Sequence, residues 1–268
     1  MSILASVTTH RELVENLVMR DIRARYKQSA LGYAWAVFNP LVLALIYTLV
    51  GGIFLGQASD KFPYAVHAYY GLLFWNLFQT GLSTATEGLV AHLNLITKTY
   101  FPREVFPISA VLSKVVDFGF GLVGLLPLLL FYRILPGPGI VLIIPLLIIQ
   151  LLFTMGLGML TSCANLFYRD VRYLVQLTLG LWIYVVPNLY PLEKVESIGR
   201  THPWVYTLYM LNPMATLIEA SRRATFPQMG DISSLYPYIA IAGVISGVTF
   251  FAGYSIFKWY EPRFAEFV

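Results

Sequence analysis

Four cations fall within eight residues of one another: Arg20, Arg23, Arg25 and Lys27. Arginine binds phosphate through strong charge-assisted hydrogen bonds, and lysine adds a point charge. The cluster directly precedes the first long apolar run, so it belongs at headgroup level. Attraction to anionic lipids and capture of a phosphate-bearing lipid headgroup use the same chemistry there. A second constellation spans 95–107 and reads Leu-Ile-Thr-Lys-Thr-Tyr-Phe-Pro-Arg-Glu-Val-Phe-Pro. Lying between two apolar runs, and carrying charge, aromatics and two prolines, it is a short, structured, water-exposed turn. Another protein gripping such a turn could move the segments on either side. The third set is aromatic. Trp and Tyr near the ends of apolar runs are ordinary interfacial belt residues. Phe38, Tyr47, Phe74 and Trp75 sit deeper, where aromatic faces can pack on the C–H faces of sugar rings.

Other chemistry is missing. No G-x-x-x-x-G-K-[ST] loop occurs, so the chain has no usual cradle for ATP phosphates, and no H-E-x-x-H or G-x-S-x-G pattern is present. His10, His67, His92 and His202 show no metal-ligand spacing and read as packing or interfacial residues. Cys163 is the single cysteine, which excludes a disulfide framework. Asp117 follows Lys114 by three residues, a spacing at which the two can neutralise each other on a helix. Asp170 and Glu104 lack a second carboxylate at useful spacing for catalysis. We therefore expect no metal, no cofactor and no catalytic residues in this chain, and no nucleic-acid partner.

The elements that position these groups are membrane spans. With 57% apolar and only 12% charged residues, against about 25% charged in soluble domains, the chain has too little polar surface for a water-soluble helical protein. Several apolar runs approach the roughly 20 residues that cross a hydrocarbon core of about 30 Å. The expected fold is an all-α integral membrane protein with six transmembrane helices, near 31–55, 63–82, 108–132, 139–164, 173–189 and 236–259. Before them, Thr9 to Lys27 reads as an amphipathic interface helix within a cytoplasmic segment 1–30. Thr9 and Glu12 form its capping box, and Val14, Val18, Ile22 and Tyr26 form one apolar stripe. Its charge, and the length of the run after it, argue against a cleavable signal. Leu135-Pro136-Gly137-Pro138-Gly139 is a tight turn between the third and fourth spans. The connection 188–235 is too apolar for a solvated loop; divided at Pro213, it reads as two short re-entrant helices at an outer mouth. Twelve lysines and arginines fall on the side of the N-terminus and six on the other, which predicts both termini in the cytoplasm.

In this order and at this spacing, several segments resemble one family. They are Arg20-Asp21-Ile22-Arg23-Ala24-Arg25-Tyr26-Lys27, Leu31-Gly32-Tyr33-Ala34-Trp35 with Asn39-Pro40, Thr97 to Pro107, Asn165-Leu166-Phe167-Tyr168-Arg169-Asp170-Val171-Arg172, and Leu211-Asn212-Pro213-Met214. The chain resembles the membrane permease of ABC exporters for cell-surface polysaccharides. The O-antigen permease is the nearest branch, and teichoic-acid and capsule permeases are its relatives. The resemblance implies a type 2 exporter transmembrane domain over 31–268, assembled as a homodimer with two copies of a separate ATPase that binds ATP and Mg. It makes 88–107 a coupling region, with Lys98, Thr99, Tyr100, Phe101, Pro102, Arg103 and Glu104 against the ATPase. Arg20, Arg23, Arg25 and Lys27 would receive the diphosphate of an undecaprenyl diphosphate-linked glycan. Phe38, Tyr47, Phe74 and Trp75 would line its pore in the bacterial inner membrane. The rival readings are a membrane-embedded glycosyl or acyl transferase and an ion-coupled transporter built on Asp117. The latter would lose all transport on Asp117→Asn, whereas an ATP-driven exporter would change modestly.

Overall fold

The computed structural model describes residues 11–26, 34–50, 62–93 and 102–266, and their regular elements are all helices. In chain order these are α1 (Arg11–Tyr26), α2 (Ala34–Tyr47), α3 (Tyr64–Ala91), α4 (Val105–Tyr132), α5 (Ile143–Phe167), α6 (Val171–Trp182), α7 (Leu192–Thr201), α8 (Pro203–Met210), α9 (Pro213–Thr225) and α10 (Tyr236–Tyr260). A closing 3-10 stretch covers Glu261–Glu266.

Among the described residues, three stretches are long and apolar enough to cross a membrane: Val105–Tyr132, Pro138–Phe167 and Ile232–Phe264. They contain α4, α5 and α10. Val37–Val50 and Val171–Val185 are shorter apolar helices. The 12 residues of α6 rise only about 18 Å, less than a hydrocarbon core. α3 has the length, 28 residues, but lower apolarity, for a reason given below. It also runs past Leu82, the expected end of the second span, to Ala91.

α3 runs through the middle of the bundle, against α2, α4, α5, α6 and α9. Its buried polar groups reach across to neighbours, as interior polar groups must. The Tyr69 hydroxyl donates to the Gly121 carbonyl at 2.8 Å, and Tyr70 and Thr225 share a hydroxyl hydrogen bond of 2.6 Å. Gln150 on α5 donates to the Phe74 carbonyl at 2.7 Å. α5 and α10 approach almost backbone to backbone. A Cβ at Gly156 would lie 2.7 Å from the Phe250 backbone, and one at Gly253 would lie 3.0 Å from the Gly156 carbonyl carbon. With backbone on both sides, neither contact can relax by rotamer change. Gly253→Ala is therefore expected to cost about 1–3 kcal/mol, read as a lower melting temperature in detergent. Gly247→Ala on the same helix, where a Cβ meets nothing within 4 Å, should not lower it.

The N-terminal helix turns its stripe toward protein. Val14 and Leu17 are buried with Leu89, Val105, Phe106 and Phe264, at the end of the bundle where α3 finishes and α4 starts. Thr9 of the expected capping box lies outside the described residues. On the opposite side, the segment 188–235 contains three α-helices where two were expected, because His202 and Pro203 interrupt the first of them. Asn212 caps α9 by accepting the Met214 N–H at 3.1 Å, with Pro213 at the first helical position. The Pro-Gly turn before α5 packs against this segment, and Gly137 N–H donates to the Thr225 carbonyl at 2.8 Å.

Candidate functional site

From Val66 to Leu89 every residue of α3 is buried except six: Asn76, Gln79, Thr80, Ser83, Thr84 and Glu87. Their spacing of three and four residues places them on one face, and all six are polar. This stripe lowers the apolarity of α3. The Thr80 hydroxyl donates to the Asn76 carbonyl at 2.6 Å, and Thr84 to the Thr80 carbonyl at 2.7 Å, leaving the hydroxyl lone pairs free to accept. Hydrocarbon cannot satisfy amides, hydroxyls and a carboxylate, so such a face in a membrane belongs against a water-filled path or another protein. The sequence signal was present, at helical spacing, but polar residues after an apolar run read as the end of a span.

The pore aromatics expected from sequence divide. Phe38 is exposed and meets Trp35 edge-on at 5.7 Å; Tyr47 is half-buried. Phe74 and Trp75 are fully buried inside the chain. Phe74 packs edge-on against Phe118, and the Trp75 indole N–H donates to Gln79 at 2.7 Å.

At the end of the bundle nearest α1, a charged network joins the start of α4 to the end of α10. Residues 94–101, hence Lys98, Thr99, Tyr100 and Phe101, lie outside the described residues. Pro102 and Arg103 lead into α4 and are half-buried. The Arg103 guanidinium donates to the Glu261 carbonyl at 2.7 Å and lies over the Phe264 ring. Glu104, at the N-cap of α4, is fully buried and pairs with Lys258 of α10 at 2.7 Å; Lys258 also pairs with Glu261 at 2.8 Å. A carboxylate at that helix end is also favoured by the positive pole of the helix. Arg103 and Glu104 therefore tie the turn to the last helix.

The basic cluster is partly placed. Arg20 and Arg23 are exposed on α1, Arg25 also lies in that helix, and Lys27 is outside the described residues. Arg20 pairs with Asp21 at 3.1 Å and donates to Nε2 of His92, whose Nδ1–H donates to the Gly88 carbonyl at 2.7 Å. Burial, aided by Arg20, holds the His92 imidazole below its ordinary value and keeps it neutral. α1 is thus fastened to the end of α3.

Two further groups were not singled out as sites. Asn165 donates to the Thr86 carbonyl at 3.1 Å and accepts the Arg172 N–H at 3.2 Å, clamping the α5–α6 turn to α3. Near the far end of the bundle, Arg222 is fully buried on α9 and donates to the carbonyls of Pro187 and, at 3.1 Å, of His67. Glu219 lies 3.5 Å from Arg222 and 2.9 Å from Arg223, which reaches Glu196 at 3.1 Å. Among the described residues, no group of three or more His, Cys, Asp or Glu side chains could hold a metal ion.

The family model of the ABC-2 type transporter matches residues 12–226. An O-antigen export system permease protein RfbA from Myxococcus xanthus is 32% identical over 257 residues, covering 96% of this chain and 95% of the relative. One from Klebsiella pneumoniae is 32% identical over 256 residues, 95% of this chain and 94% of the relative. The polysialic acid transport protein KpsM of Escherichia coli is 23% identical over 92% of this chain and 93% of its own length.

Proposed function

The chain belongs to the ABC-2 type transporter family, and from that premise we propose that it is the membrane permease subunit of an ATP-driven exporter of lipid-linked, O-antigen-like polysaccharide. The observation that carries this reading is the end-to-end similarity, at 32% identity, to permeases of O-antigen export. The weaker likeness to KpsM extends to capsule-type polysaccharides. Members of this family are transport subunits that leave ATP hydrolysis to a separate protein.

In the working exporter two copies of the chain form the pore, each with its own ATPase subunit, which binds ATP and Mg. Six spans place both termini in the cytoplasm of a bacterium with the pore in its inner membrane; α2 and α6 are the membrane parts of the first and fifth. The polar stripe of α3 supports a hydrated path, since between Val66 and Leu89 it is the side of that helix not buried in the chain. Hydroxyls, amides and one carboxylate along it exchange hydrogen bonds with a polyhydroxylated chain without demanding one register. Of the four aromatics expected in the pore, Phe38 and Tyr47 remain available to such a path. Arg20, Arg23, Arg25 and Lys27 hold the carrier's diphosphate where α1 meets the bundle. The segment 188–235 is the outer gate.

The turn after α3 docks on the ATPase through Tyr100 and Phe101, with Lys98 and Thr99 as polar contacts. Buried aromatic anchors at interfaces are worth about 2 kcal/mol or more each, roughly thirtyfold in affinity. Tyr100→Ala with Phe101→Ala should therefore release the ATPase on co-purification and stop ATP-driven glycan transport in vesicles. Arg103→Ala, which cuts the internal contact to Glu261, should keep the ATPase bound. If the double alanine variant still binds the ATPase and transports normally, the coupling assignment is wrong.

A further inference from the structure

Where the polar stripe meets α2 and α4 there is a cavity of about 310 Å³, at the low end of the roughly 300–1,000 Å³ of small-ligand sites. Trp35 and Asn39 of α2, Asn76 and Thr80 of α3, and Lys114 and Asp117 of α4 line it. The Trp35 side of the cavity is open, with that residue 49% exposed. Its indole offers a flat apolar face. Thr80, whose O–H is committed to the Asn76 carbonyl, faces the cavity as an acceptor. The amides of Asn39 and Asn76 make no hydrogen bond among the described residues. Each presents two donors and one carbonyl acceptor. Amides left unpaired inside a membrane bundle are costly unless water or a ligand meets them.

The charge balance narrows the ligand. One cation and one anion, a helical turn apart, line the same cavity. Their charges cancel, so the lining favours neither a phosphate, which would meet the Asp117 carboxylate, nor a metal ion, which would meet the Lys114 ammonium, and a neutral polyol meets no repulsion from either. A flat apolar platform opposite paired donors and acceptors suits the two faces of a pyranose ring, apolar C–H on one side and hydroxyls at its rim.

We propose that this cavity is a binding subsite for one or two uncharged sugar units of the transported glycan, with Trp35 as stacking platform and Asn39, Asn76 and Thr80 as hydroxyl partners. The proposal rests on the polysaccharide-export reading above. It makes the site distinct from the diphosphate-binding cations of α1: the carrier's charge is held at the membrane surface and the sugar within the bundle. A subsite of this kind holds the chain against back-sliding between ATPase strokes, because each ring must break its hydrogen bonds before the next enters.

The test uses the permease–ATPase complex in nanodiscs. Cys163 is buried, so a Ser83→Cys variant, one turn along the stripe from Thr80, carries a single accessible reporter for a water-soluble maleimide when it is paired with an ATPase whose cysteines are replaced by serine. Three probes are compared: glycan released by mild acid from the lipid-linked fraction of cells encoding the chain, undecaprenyl diphosphate alone, and inorganic phosphate. Released glycan at about ten times its half-saturating concentration should slow labelling about tenfold, and the other two should not. In that background Asn76→Leu should raise the glycan needed about tenfold, the loss expected for one or two hydrogen bonds. Asn39→Leu replaces it if Asn76→Leu fails to assemble. Absence of labelling, labelling unaffected by glycan, or equal protection by the carrier or phosphate overturns the subsite. Export by the unsubstituted complex is measured separately: its failure removes the polysaccharide reading, whereas normal export without protection removes only the subsite.

Discussion

Arg222→Met is expected to lower the melting temperature of the detergent-purified protein by about 10 °C and to open the segment 188–235 to protease. Arg222 is fully buried, yet its guanidinium connects three parts of the chain. It donates to the Pro187 carbonyl after α6, to the His67 carbonyl at 3.1 Å on α3, and lies 3.5 Å from Glu219 on its own helix. Methionine keeps much of the volume and removes every donor. Two carbonyls then lose a partner away from water, and Glu219 keeps only Arg223, at 2.9 Å. Removing one member of a buried ionic group costs about 3–5 kcal/mol, and a chain of this size loses about 2–4 °C per kcal/mol. Two comparisons isolate the cause. Arg223→Ala, at a side chain that is partly exposed and leaves Arg222 with Glu219, should lower the melting temperature far less. Gly71→Ala should mimic Arg222→Met, because its methyl group would collide with the Arg222 guanidinium and the Asn188 amide. An unchanged melting temperature in Arg222→Met would mean that α9 is held by apolar packing alone.

That network also shows where sequence reading stops. The all-helical class and the three long apolar spans follow from local runs, and those were legible. So was the order of motifs that carried the family resemblance. Arg222 and Arg223 counted among the outer cations of a segment read as re-entrant, and nothing local says that the Arg222 side chain turns into the bundle. Glu104 looked like a contact for a partner protein, because Lys258 lies 154 residues away in sequence. Phe74 and Trp75 looked deep enough for a pore, and they are deep. They occupy the packed sides of α3, and its open side is the polar stripe. Hydropathy averages over a helix and so hides which face is polar. Periodicity at 76, 79, 80, 83, 84 and 87 would have found that stripe. The α5–α6 clamp is the opposite case. Asn165 and Arg172 stood out as motif residues, and the hydrogen bonds that fasten that turn to α3 are a structural reason for them.

On the proposed coupling role of the turn after α3, the Glu104–Lys258 pair is where docking on the ATPase would reach α10. Lys258→Met leaves the buried Glu104 carboxylate without its partner at 2.7 Å, and the second carboxylate oxygen, Oε1, already has none. Lys258 keeps 32% of its side chain exposed. The cost therefore falls between the about 0–1 kcal/mol of exposed pairs and the about 3–5 kcal/mol of buried ones, at about 2–3 kcal/mol. The melting temperature should fall accordingly. Adding Glu104→Leu removes the stranded charge, and a well-packed apolar replacement for an ion pair is close to neutral or stabilising. Lys258→Met with Glu104→Leu is therefore expected to recover its melting temperature. It should still export glycan several-fold more slowly per ATP hydrolysed, because an apolar contact transmits less of the turn's displacement to α10 than a directed ion pair. Measuring melting and transport on the same preparations separates the two roles. Recovery of both would make the pair a structural fastening, and recovery of stability without transport would make it part of the stroke.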